Sequence, residues 1–108
     1  MNDRRYQWLI LVPRRDDMRE IHHLSSPDQT SLFEEITRVS ELLETEFNPT
    51  KMNIGALGNI VSQLHIHVIA RNEGDPAWPG PVWGHSSAVA YASDEIEKLK
   101  EKLILKLR

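Results

Sequence analysis

A chain of 108 residues with 40% hydrophobic and 27% charged side chains has the make-up of one globular domain with a core of modest size. A net charge of −3 argues against nucleic-acid binding through a generally basic surface, although Arg14, Arg15 and Arg19 form a local cluster. No apolar run is long enough to span a bilayer, nothing at the N-terminus reads as a signal peptide, and zero cysteines leave neither disulfides nor thiolate metal sites, which fits a cytoplasmic protein.

Gln7 to Val12 is dense in apolar residues and closed by Pro13, which predicts a strand. Asp16 to Leu24 is polar, with Met18, Ile21 and Leu24 at helical spacing, and reads as a short turn of helix. The clearest element begins at Ser25-Ser26-Pro27-Asp28-Gln29, where Ser26 fits an N-cap, Pro27 the first helical position and Gln29 the reciprocal capping position. Leu32, Ile36, Val39, Leu43 and Phe47 then recur at spacings of three and four, giving one apolar stripe that Asn48-Pro49 ends. Lys51 to Leu57 reads as a strand, Gly58-Asn59 as a turn and Val61 to Ala70 as its partner strand. Asn72 to Ser87, rich in Pro and Gly, reads as a long loop carrying Trp78 and Trp83. Ser93 is expected to cap a last amphipathic helix with Ile96, Leu99, Leu103 and Leu107 on one side, its acids Asp94 and Glu95 matching the positive N-terminal end. Short connections predict antiparallel pairing with helices on one face, an α+β domain.

The chemistry concentrates in Gln63-Leu64-His65-Ile66-His67-Val68-Ile69-Ala70-Arg71, which holds two of the five histidines. Side chains of a strand alternate between faces, so Gln63, His65, His67 and Ile69 share one face and Leu64, Ile66, Val68 and Ala70 the other. The apolar face is expected in the core and the imidazole face open. Two imidazoles on one strand face suit phosphoryl chemistry, because a neutral imidazole is a competent nucleophile once one ring nitrogen is held by a hydrogen bond. Two rival readings are a partly buried polar face and a zinc site. No Asp, Glu or Cys at Val61 or Ile69 completes a local ligand set.

This run resembles the signature of the histidine-triad family, in which three histidines alternate with apolar residues and an Arg often follows. The tail Val68-Ile69-Ala70-Arg71 sets the register, placing His67 third, His65 in the middle and Gln63 where the first histidine would stand. Trp8-Leu-Ile-Leu-Val-Pro13-Arg14-Arg15, Asn53-Ile-Gly-Ala-Leu-Gly58-Asn59 and the Trp-Pro segment around Trp78, Pro79 and Trp83 resemble further parts of the family pattern, together spanning about residues 7 to 84.

The resemblance implies a single histidine-triad-like domain over residues 1–108 with an antiparallel sheet, one long helix and a C-terminal helix. It also implies strand sequence ahead of Gln7, where Asn2-Asp3 reads as the turn of a hairpin whose first strand is absent. It implies that His65 attacks the α-phosphate of a nucleotide conjugate, a dinucleoside polyphosphate or nucleoside phosphoramidate, to give a nucleotidyl-histidine that water opens. His67 would stabilise charge on the leaving side, and Gln63 would keep a positioning hydrogen bond without carrying a proton. Asn53, Gly58, Asn59 and Trp78 are the expected substrate contacts, with a simple hairpin turn the alternative at Gly58-Asn59. Arg71 reads more as a strand-end cap than as a phosphate ligand, and His22 and His23 as surface residues. A homodimer is implied, with no metal, cofactor, nucleic acid or membrane partner. The competing reading is a nucleotide-binding or scaffolding module that lost turnover with its first histidine.

Overall fold

In the computed structural model, which describes residues 1–107, the chain runs through β1 (Gln7–Leu11), a 3-10 turn (Ile21–His23), α1 (Ser26–Phe47), β2 (Lys51–Gly55), β3 (Ile66–Arg71) and α2 (Ser93–Leu107). The three strands form an antiparallel sheet in the order β1-β3-β2, so the histidine-bearing strand is central. Pairing brings Trp8 opposite Ile69 and Ile10 opposite His67 on one side, and Asn53 opposite Ile69 and Gly55 opposite His67 on the other.

The long helix starts one residue earlier than the sequence suggested. Ser25, not Ser26, is the cap: its hydroxyl accepts from the Asp28 amide at 3.2 Å. Pro27 sits in the first turn, and the Gln29 side chain reaches back to the Leu24 carbonyl at 3.0 Å. Serine at position 25 captures the cap because the amide it satisfies lies three residues on. At the other end Asn48 takes the left-handed conformation (φ 45°, ψ 57°) and donates its N–H to the Glu44 carbonyl, after which Pro49 prevents further helix. Leu32, Ile36, Val39 and Leu43 are buried along one stripe, as their spacing predicts.

That stripe packs on the sheet face formed by Leu64, Ile66, Val68 and Ala70, with Leu9, Leu11 and Met52 from the flanking strands. α2 lies beside α1, tied by Lys102 and Lys106 to Glu46, with Leu103 buried. Among the described residues, the opposite sheet face carries no helix. Loop residues Ala77, Val82 and Trp83 cover it, packing with Tyr6, Trp8, Ile10 and Ile69.

Two expectations fail here. Every residue of β3 is buried, including His67, so the imidazole face is covered from His67 onward, and His65 just before the strand is half-buried. The strand also begins at Ile66 instead of Val61, β2 stops at Gly55, and residues 56–65 form a long connection instead of a Gly-Asn hairpin. Leu57, Ile60 and Val61 are exposed in that connection, so their apolar character reflects neither pairing nor core packing. Periodicity cannot distinguish a strand from an apolar loop that leads into one.

Leu64, two residues before β3, is almost completely buried in the larger core, and its amide donates to the Met18 carbonyl. Leu64→Ala should cost about 2–5 kcal/mol in urea unfolding, while Leu57→Ala in the exposed connection should cost less than about 0.5 kcal/mol. Equal costs for the two would contradict this division of the 56–65 segment.

Candidate active site

His65 and His67 occupy consecutive positions on one face at the start of β3, their ring centroids 4.9 Å apart and their planes inclined at 70°. His65 stands just before the first paired residue and is half-buried. Its Nδ1 lies 2.7 Å from the Gln63 backbone carbonyl. A carbonyl only accepts, so the imidazole is the donor and, in the neutral ring, Nε2 keeps a free lone pair. The hydrogen bond needs no particular side chain at position 63. The Gln63 amide points elsewhere and donates to the Arg15 carbonyl at 3.2 Å, pinning the connection to the segment after β1.

The second histidine has the opposite tautomer. Its Nδ1 accepts from the indole Nε1–H of Trp8 at 2.9 Å, leaving the ring proton on Nε2. Trp8 and Trp83 flank it, with centroids 5.5 and 5.4 Å away, and the two indoles meet edge to face at 6.4 Å. Trp83 approaches because position 55, opposite His67, is glycine: a Cβ there would stand 3.0 Å from the indole ring. His67 is 7% exposed, and burial, followed by the nearby His65, pushes its pKa down. Trp8 and Gly55 were not singled out for the site from sequence, and Trp83 reads there as closing over a base or packing against a partner subunit, not as a neighbour of His67. The one available signal was register, since antiparallel pairing puts the residue opposite Ile69 beside His67.

A second polar centre lies further along the same face. Arg71, 1% exposed, donates Nε and Nη2 to the Asp75 carboxylate (2.7 and 2.9 Å), Nη1 to Asn53 Oδ1 (2.8 Å) and Nη2 also to the Gly80 carbonyl (2.8 Å). The Tyr6 and Trp78 rings each stand 5.8 Å from its guanidinium carbon. The guanidinium holds the Asp75 carboxyl below the usual carboxylate range, helped by the Asn72 and Trp78 amides. Arg71 is thus more than a strand-end cap, since it organises the loop.

Of the sequence-predicted substrate contacts, Asn53 and Trp78 are therefore gathered around Arg71, Asn53 with its oxygen already occupied. Gly58, in the left-handed region (φ 72°), and the exposed Asn59 lie in the 56–65 connection. His22 and His23 meet edge to face at the surface. Among the described residues, no group of three or more His, Cys, Asp or Glu is arranged to hold a metal ion.

Two outcomes follow from these contacts. Arg71→Ala strands the buried Asp75 charge and should cost about 3–5 kcal/mol in chemical unfolding; a loss under 1 kcal/mol would mean that water already solvates the pair. For His67, the unfolded imidazole, with pKa about 6.5, takes up a proton at pH values where the folded one stays neutral. Its contribution to stability is complete above that pH and is lost as pH falls toward the lowered folded value. Wild type should therefore lose more stability than His67→Gln between pH 7.5 and 5.5, and parallel thermal-melting curves would contradict this.

Comparison with known proteins identifies the family. The family model for the HIT domain matches residues 1–74. A histidine triad (HIT) protein from Sinorhizobium meliloti 1021 superposes with TM-score 0.94 at 49% identity, covering 98% of this chain and 78% of that one. Histidine triad proteins from Bradyrhizobium japonicum (TM-score 0.95, 45% identity, 100% of this chain and 81% of the other) and Marinobacter aquaeolei VT8 (0.95, 47%, 99% and 78%) are equally similar. No curated protein matches. This chain belongs to the histidine-triad, or HIT, family.

Proposed function

We propose that the protein is a nucleotide hydrolase or nucleotidyl transferase acting at the α-phosphate of nucleotide conjugates such as dinucleoside polyphosphates or nucleoside phosphoramidates. The observation that carries this reading is the pair of opposed tautomers: His65 with a free Nε2 lone pair, His67 with an Nε2–H donor, side by side. The first is a nucleophile and the second a hydrogen-bond donor, which is what attack on phosphorus beside a developing negative charge requires.

His65 attacks the α-phosphorus to give a nucleotidyl-histidine. His67 donates to oxygen on the leaving side, and water then releases the nucleotide. Gln63 contributes through its backbone carbonyl, which orients the nucleophile, and its side chain holds the connection in place. Gly58 and Asn59 offer backbone and amide donors to phosphate oxygens, and Asn53 its remaining amide nitrogen. Trp78 acts through Arg71 by fixing the loop that carries Trp83. A second copy of the chain completes a homodimer. The rival function, nucleotide binding without turnover, differs at one observable, the covalent adduct.

Incubation with α-labelled conjugates should trap an acid-labile adduct in the wild type and none in His65→Ala. His67→Ala should lose ~10²–10³ in rate while still forming adduct. Because the side chain at position 63 does not hold His65, Gln63→His should change the rate less than tenfold, or about 1.4 kcal/mol in the barrier. Tight nucleotide binding with no adduct in the wild type would favour the non-catalytic reading.

A further inference from the structure

We propose that this site is restricted to α-phosphates in anhydride linkage, whose leaving group departs as an anion without a proton, and that Trp8 is the positioning residue imposing the restriction. The inference rests on the phosphoryl-transfer reading above and narrows it to one substrate class. Its basis is the buried bond from the Trp8 indole to His67 Nδ1. An indole N–H only donates. A proton arriving on Nδ1 would set two N–H groups against each other at 2.9 Å, where neither could turn to water. His67 is therefore held neutral with its one proton on Nε2. In that state it donates a hydrogen bond but is too weak an acid to give the proton away.

Among the described residues, nothing around His67 offsets this. Trp8 and Ile10 from β1, Gly55 from β2 and Trp83 from the loop bring no titratable side chain. The titratable groups acting on it are His65 and the Met1 ammonium, and both oppose added positive charge, as does burial. Gln63 has no acidic proton, and its amide is committed to the Arg15 carbonyl.

The chemistry follows from that single proton. As the His65 Nε2 lone pair bonds to the α-phosphorus, the bond from phosphorus to the bridging atom breaks and the electron pair leaves with that atom. The bridging oxygen of a polyphosphate or an acyl phosphate keeps the pair as a stable anion, and the Nε2–H of His67 steadies it. An amine or alcohol leaving group must instead be protonated as the bond breaks, and His67 is not in the state to do so. Water then adds to phosphorus, the phosphorus–nitrogen pair returns to His65, and one water proton passes to solvent.

The test compares diadenosine tetraphosphate with adenosine 5′-phosphoramidate. A general acid is typically worth ~10²–10⁴ in rate, so the phosphoramidate should be at least ~100-fold slower. Trp8→Phe keeps an aromatic ring but removes the N–H, and it should raise the phosphoramidate-to-anhydride ratio at least tenfold near pH 6. Nitrogen-15 NMR of the wild type should show His67 protonated at Nε2 alone from pH 7.5 to 5.5, a result that does not depend on turnover or on the variant folding. Rates within tenfold for the two conjugates, or a His67 carrying its proton on Nδ1, would overturn the restriction while leaving the His65 adduct standing. No adduct with either conjugate would overturn the phosphoryl-transfer reading, and the restriction with it.

Discussion

Arg71 carries a permanent positive charge to the end of a strand that is buried on both faces, and the second face of the sheet is arranged around it. Such a charge is tolerated only when paired and fully hydrogen-bonded. Asp75 supplies the charge, Asn53 and the Gly80 carbonyl each take a further donor, and the Tyr6 and Trp78 rings close the flanks. The groups that satisfy Arg71 come from β2 and from both sides of the first loop turn. The loop is consequently fixed against the sheet without a helix, and it carries Ala77, Val82 and Trp83 onto the face that holds His67.

The two imidazoles show how a shared strand can give like residues unlike chemistry. His65 is oriented by the chain itself, through a carbonyl two residues back, so that control survives whatever side chain stands at position 63. His67 is oriented by a side chain from another strand and enclosed by aromatic rings. The first is half-buried and the second buried, so the nucleophile is the more accessible of the two. Placing Gln63 where the family pattern has histidine therefore leaves both orienting hydrogen bonds in place.

Elements governed by local rules were legible in the sequence. The α1 stripe, its end at Asn48-Pro49 and the β1 strand before Pro13 all follow from spacing and backbone preference. Serine occurring twice in succession blurred the cap by one residue. Ala56-Leu57 and Val61 to His65 were misread as strand on either side of a Gly58-Asn59 turn, because Leu57 and Val61 are apolar yet exposed, and no periodicity records exposure. The pair His65 and His67 stood out through alternation. Their partners did not, because Trp8 and Trp83 reach His67 only through strand order and loop path, which are long-range outcomes. Arg71 was legible as a terminus and not as a centre, since its ligands come from Asn53, Asp75 and Gly80.

The separation between Trp8 and His67, 59 residues along the chain, has a kinetic meaning. Helix α1 can form early because its contacts are local, but β1 and β3 must find each other across that helix and β2. Loop-closure entropy of roughly 3–4 kcal/mol opposes the encounter in an unstructured chain, and such nonlocal pairing is the slow part of folding. An excised β3 peptide would still contain both histidines, yet the one set by Trp8 would revert to ordinary solution behaviour. The distinction between nucleophile and donor is thus a property of the completed topology, and it should appear in one cooperative step with the sheet.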